Sequence, residues 1–325
     1  MTIRPVSGAS QTVEHSAVHV PADPILVPSD PAGLAQRSRW MLGHMPPTPS
    51  ARRQRVGIEL RKMRDAAGTT TAEAATILGV DRTKITLIEQ ALYAVTPERV
   101  VALAHKYGET NSEFVTALAT MAGDRSKGWW EEYRGAVPIG FLDLAEHEYY
   151  ARATQSYQIC HPPGPMQNER YSRAIFRDAQ TPLTPRTVET RIEHRMRRAE
   201  VLMAEGAPPY TAVVHEAALR MQFGGRDSLR EQLEWMLELS ERPHVTLRVI
   251  SFAAGGFKGS GQALVYMSGP VPRLDTLQYD TVEGPTFLHT TEHLDKYRRI
   301  IEVMAERSLS VDDSRNLITQ IKKEL

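Results

Sequence analysis

The stretch TTTAEAATILGVDRTKITLIEQ (69–90) limits the fold more than any other part of the chain. Thr70 is placed to cap a helix over 71–78, whose Ala74, Ala75 and Leu78 suit close helix packing. Gly79 follows, and glycine accepts the positive φ of a tight turn. Asp81 then caps a second helix over 82–90, with Ile85 and Ile88 turned inward. Two short helices joined by Gly-Val-Asp make a helix-turn-helix. The flanks extend the pattern. Val56, Leu60 and Met63 mark the apolar face of a helix that Gly68 ends. Thr96-Pro97 opens a fourth helix, with proline where its missing N–H costs nothing, and Asn111 caps a fifth. Residues 50–122 therefore read as an all-α domain without a strand.

The outward face of the 82–90 helix carries Arg82, Thr83, Lys84, Thr86 and Leu87. The second helix of such a pair offers its N-terminal residues to base edges in the major groove. Arg82 suits a bidentate contact to guanine O6 and N7, which discriminates by about 1–3 kcal/mol. Thr83 and Thr86 can donate or accept, and Leu87 can meet a thymine methyl. Phosphate contacts are expected from Thr71, Lys84, Gln90, Arg52, Arg53 and Arg55. The competing reading is a helical packing module that touches no DNA.

Charge bears on that choice. The chain has 39 Lys+Arg and 39 Asp+Glu, a formal net of zero. Residues 45–123 carry ten cations against eight anions, and residues 124–325 carry 26 against 28. Six of the ten cations lie in ARRQRVGIELRKMR (51–64). A small basic module joined to a slightly acidic body fits these counts, as does a solvated helix face.

Residues 1–33 mix Ser, Ala, Val and Pro without period, LAQRSRWML (34–42) could form a short helix, and 1–49 as a whole read as a disordered or non-native extension; Gly43-His44-Met45 resembles a cloning scar. GDRSKG (123–128) reads as a hinge. Beyond it, residues 129–325 read as a mixed α/β (α+β) domain. Helices are expected over 129–134, 140–157, 168–177, 185–205, 228–240, 291–308 and 312–324. Strands are expected over 210–214, 244–251, 262–267, 276–282 and 285–289. Glu169, Tyr171, Glu216 and Arg226 lie beside glycine-containing loops or a strand end, where they could line a ligand pocket or an interface, or simply pair and cap. Trp129, Trp130 and Tyr133 are expected at the seam between the two domains.

Signs of catalysis are weak, and no enzyme activity, metal or cofactor is expected. His289-Thr-Thr-Glu-His293 matches an inverted zinc-peptidase motif. That chemistry needs both imidazoles on one helical face, whereas His289 ends a strand and Thr290 or Thr291 caps the next helix. GGFKGSG (255–261) lacks phosphate-loop spacing. Cys160 and His161 are sequence neighbours, which rarely form a nucleophile–base pair. Arg191, Arg195, Arg197 and Arg198 suggest a solvated face, with a second DNA contact as the sharper alternative. A single cysteine excludes an intrachain disulfide, and no run reaches the ~18 apolar residues of a membrane span. A cytoplasmic location is expected.

The helix-turn-helix segment resembles the lambda-repressor-like DNA-binding domains of the xenobiotic-response-element family, and RRQRVGIELRKMRDAAGTT resembles the opening of an actinobacterial subgroup. Thr71 stands where that family usually has Gln, and Ala91 stands where Gly usually follows the recognition helix, forcing a less comfortable turn. WWEEYRG (129–135), PGPMQNERYSRAI (163–175), RIEHRMRRAEVL (191–202), HEAALRMQFGGRDSLREQLEWMLEL (215–239) and VTLRVISFAAGGFKGSG (245–261) resemble the domain of unknown function that follows in many such regulators. The resemblance implies a transcriptional regulator of development or secondary metabolism, often encoded beside a small partner protein, without a known ligand. The expected partners are double-stranded DNA and a second copy of the chain, with the body sensing an effector, dimerising or docking a partner. One small recognition helix per chain favours a homodimer on two half-sites about 34–36 Å apart. The alternative is an antitoxin-like protein that sequesters a small partner and binds DNA only to regulate itself.

Overall fold

The structure, a computed structural model, describes residues 48–177, 183–281 and 284–325. The expected extension over residues 1–49 lies outside them except for its last two residues. Five helices come first: α1 (Ala51–Ala66), α2 (Thr71–Leu78), α3 (Arg82–Glu89), α4 (Pro97–Lys106) and α5 (Ser112–Gly123). Ser50, Thr70, Asp81, Thr96 and Asn111 cap them in turn, each side chain accepting from an N–H of the first turn. All but Ser50 are the caps that the sequence predicts. Val56, Leu60, Met63, Ile85, Ile88, Leu103, Phe114 and Leu118 close into one core between the five helices.

The body is a six-stranded sheet in the order β3-β2-β1-β4-β5-β6. Its strands are β1 (Ala153–Gln158), β2 (Tyr210–His215), β3 (Val245–Ile250), β4 (Leu264–Ser268), β5 (Thr276–Thr281) and β6 (Gly284–Leu288). β1, β2 and β3 run parallel, whereas β4, β5 and β6 each run antiparallel to the preceding neighbour in the sheet. Parallel neighbours need long crossovers. These are α7 (Glu169–Arg177) with α8 (Pro185–Met203), then α9 (Glu216–Arg220) with α10 (Arg226–Leu239). α6 (Ile139–Tyr150) precedes the sheet, and α11 (Thr291–Arg307) and α12 (Val311–Glu324) follow it. Leu229, Leu233 and Met236 of α10 and Ile318 of α12 pack with Ala212, Val214, Leu247 and Val249. Leu294, Ile300 and Met304 of α11 pack with Tyr157, Leu264, Tyr266 and Leu277. Among the described residues no helix is long and apolar enough to cross a membrane.

One expectation is overturned here. The predicted helix over 140–157 stops at Tyr150, and its last third is the central strand β1. Thr154, Ser156 and Gln158 are buried, so β1 lacks the apolar alternation that marks a strand. Ser156 sits opposite Ala212 on one side and Val265 on the other, so ladder pairing and not side-chain pattern holds this segment extended.

The segment expected as a hinge joins parts that are already packed together. Residues 48–325 form one compact unit. The loop between β4 and β5 inserts Leu274 into the core of the five helices, with Val271 against it. A Cβ on Gly269 would lie 2.5 Å from the Leu274 carbonyl oxygen, so only glycine permits that loop.

The body also holds the first turn of α1. The Ala51 N–H donates to Asp143 Oδ1 (3.0 Å) and the Arg52 N–H to Glu146 Oε2 (3.4 Å). Carboxylates suit a helix N-terminus, where N–H groups lack partners. Burial nevertheless pushes Asp143 up to about 6 and Glu146 up to about 7. Both values exceed those of the unfolded chain, near ~4. The folded state therefore takes up protons more readily between about pH 4 and 7, and the contribution of this pair to stability falls as pH rises through that window. His147 and His194, pushed down to about 3, and His289, pushed down to about 2, act in the opposite sense. A double Asp143→Asn, Glu146→Gln variant separates the two effects. Relative to the parent, it should gain about 1 kcal/mol or more between pH 5 and pH 7.5 in urea unfolding. Parallel pH profiles would remove these carboxylates from the account.

Candidate nucleic-acid interface

The turn between α2 and α3 is built as the residues require. Gly79 adopts φ +61° and ends α2. At the other end of α2, Thr70 and Glu73 form a reciprocal capping box. Asp81 Oδ1 accepts the Lys84 N–H at 3.0 Å, starting α3. Ile85 and Ile88 are buried in the helical core with Ala74 and Ala75. This rotation leaves Arg82, Thr83, Thr86 and Gln90 exposed on the opposite face, with Lys84 and Leu87 half-buried beside them. Lys84 Nζ lies 4.6 Å from the centroid of the Tyr93 ring. Thr71 is half-buried in the first turn of α2, and Arg53 is exposed on α1.

Two expected phosphate contacts do not belong to this surface. Arg55 is only 1% exposed. Its Nε lies 3.0 Å from Glu59 Oε1, and its other nitrogens donate to the carbonyls of Asp275 (3.3 Å) and Arg273 (2.5 Å). Arg52 lies 3.4 Å from the centroid of the Tyr150 ring and 3.7 Å from Asp124. Burial pulls the pKa of both guanidiniums down. The positions share the side of α1 that meets the body. Arg53 and Arg61 remain toward solvent, Arg61 beside Asp65 at 3.5 Å.

Residues that sequence reasoning missed hold α3 in place. Arg64 grips Glu89 through Nε (2.6 Å) and a terminal nitrogen (2.9 Å). Gly57 packs against the end of α3, where an added Cβ would lie 2.4 Å from the Glu89 carbonyl oxygen. These contacts join residues far apart in sequence, so no local pattern announces them. Ala91 was expected in an uncomfortable turn and takes φ +59°, unlike any other non-glycine among the described residues. The left-handed conformation costs about 1–2 kcal/mol. Ala91→Gly relieves that strain but loses a buried methyl, worth ~0.8 kcal/mol. The variant should therefore be more stable than the parent by up to about 1 kcal/mol, read as a rise in Tm; a lower Tm would deny strain at this turn.

The candidate pocket residues of the body do not converge. Tyr171 is fully buried and packs edge-on against Phe223. Glu216 pairs with Arg220 (2.8 Å) and accepts the Phe252 N–H (2.9 Å). Arg226 donates to the carbonyls of Glu324 and Leu325 at the end of α12. Glu169 is exposed and pairs with Arg173 at 2.8 Å. Each has a structural partner or a core position in place of a shared cavity. Trp130 packs with Val137, Leu142 and Ala145 inside the body, and Trp129 stacks near His194. The aromatic cluster reaches α1 through Tyr150 and Arg52.

The other motifs resolve similarly. His289 follows β6, and Thr290 caps the helix containing His293, so the two imidazoles share no helical face. Arg198 is buried in a two-bond pair with Glu148 (2.7 Å each), Arg195 donates to Gln167 (2.6 Å), and Arg197 pairs with Glu132 (2.6 Å). Arg198 is therefore internal, whereas Arg191, Arg195 and Arg197 are half-buried, Arg197 in a surface pair.

Comparison with known families agrees with this division. A model described as a helix-turn-helix domain matches residues 55–114. A second, described as a domain of unknown function (DUF5753), matches residues 141–320. No curated protein and no solved structure matches the chain.

Proposed function

Because the chain belongs to the DUF5753 family and carries a helix-turn-helix DNA-binding domain ahead of that region, we propose that it is a sequence-specific transcriptional regulator. The observation that carries the reading is the division of α3. Ile85 and Ile88 are sealed in the core while Arg82, Thr83, Thr86 and Gln90 stand exposed on the other face. In this reading α3 lies in the major groove, with Arg82, Thr83, Thr86 and Leu87 at base edges. Thr71, Lys84, Gln90 and Arg53 take phosphates, which fix register without reading sequence. The chain binds as a homodimer, since one short helix reads few base pairs and two half-sites multiply specificity. The body senses an effector through its packing on α1 and α5. The reading requires no catalysis and no cofactor.

Selection of bound duplexes from genomic fragments tests it, with sizing of the complex in solution. The expected product is a palindrome with half-site centres about 10–10.5 bp apart, or a multiple of that spacing. A single unrepeated half-site held by one chain would remove the dimer. Failure to enrich any sequence would remove the regulator.

A further inference from the structure

Between α5 and the body lies an open cleft of about 680 Å³. That volume falls within the ~300–1,000 Å³ range of small-molecule sites. One wall is the exposed face of α5, with Glu113, Thr116 and Met121; the other includes Arg152 and Val271. Arg152 is exposed and donates to the Pro270 carbonyl at 3.1 Å, and no carboxylate pairs with it among the described residues. Glu113 is likewise exposed, without a cationic partner among those residues. The remaining charges in the cleft are already committed. Asp124 accepts from Ser126 and lies beside Arg52, which covers the Tyr150 ring.

We propose that this cleft binds a zwitterionic small molecule of the amino-acid or short-peptide class, its carboxylate on Arg152 and its ammonium group on Glu113. The two open charges lie on different walls and have opposite sign, so a ligand carrying both satisfies each without adding net charge. Met121 and Val271 add apolar lining to the cleft. Arg152 belongs to the body and Glu113 to the DNA-binding helices, so the ligand would bridge the two parts beside the loop that carries Leu274 into the helical core. Such a bridge gives the effector a direct hold on α5. This inference rests on reading the body as a sensor, and its test needs no DNA.

Isothermal titration of the full chain with leucyl-phenylalanine, its N-acetyl form and its C-terminal amide tests the assignment. The free dipeptide should bind at least about tenfold more tightly than either blocked form. Arg152→Ala should erase the preference over the amide, and Glu113→Gln the preference over the acetylated form. Thr116→Trp, at an exposed position of α5, should crowd the cleft and weaken binding of the free dipeptide at least about tenfold. Absence of binding to the parent chain, or a preference unchanged by these substitutions, would overturn the proposal. Either result would leave DNA selection intact, and failure of the DNA selection would leave the titration intact.

Discussion

Arg64→Ala lowers the stability of the chain by about 1–3 kcal/mol, the cost of stranding a half-buried, hydrogen-bonded carboxylate. Arg64 and Glu89 retain only 11% and 8% of their side-chain exposure. Two hydrogen bonds join them, and Arg64 also donates to the Thr69 carbonyl at 3.0 Å. Without the guanidinium, Glu89 loses both bonds beside Tyr107, whose hydroxyl burial and the Glu89 charge push up to about 12. The loss falls on DNA binding as well, because Glu89 is the last residue of α3. Urea unfolding followed by circular dichroism measures the effect. An Arg64→Met, Glu89→Leu double variant should recover much of the loss, since neither charge is then stranded. A single variant within about 1 kcal/mol of the parent would show that this pair contributes little, as exposed pairs do.

Local chemistry made the DNA-binding helices legible in advance. Thr70, Asp81, Thr96 and Asn111 are caps whose side chains satisfy N–H groups a few residues away, and Gly79 is a turn residue for an equally local reason. The strain at Ala91 was visible for the same cause: a residue with a Cβ stands where the chain reverses. β1 was invisible because its conformation is imposed by two neighbouring strands on a polar sequence. Arg52 and Arg55 show the limit most clearly. Beside Arg53 they read as one basic run, yet helical rotation directs them toward Tyr150, Asp275 and Glu59 and leaves Arg53 toward solvent. Charge alone cannot report that division. The carbonyls that hold Arg55 come from residues some two hundred positions away, on a loop whose insertion into the helical core has no sequence signature.

The same division narrows the basic surface and shifts weight onto α3. Arg53 remains exposed, with Arg61 exposed but beside Asp65. In the proposed reading, specificity then depends on a few side chains, of which Arg82 has the greatest reach and hydrogen-bonding capacity. Arg82 is exposed in the first turn of α3, and no structural bond engages its guanidinium among the described residues. Its removal should leave folding almost untouched, within about 0.5 kcal/mol.

The most direct measurement is the affinity of Arg82→Ala for the selected operator and for an unrelated duplex of equal length, at one salt concentration. Loss of a bidentate guanine contact should weaken operator binding by about 1–3 kcal/mol per half-site, or roughly fivefold to 150-fold. Binding to the unrelated duplex should change far less, because only the sequence-reading contact has gone. Equal weakening on both duplexes would make Arg82 a phosphate contact. An unchanged operator affinity in a folded variant would contradict the assignment of α3 as the reading helix.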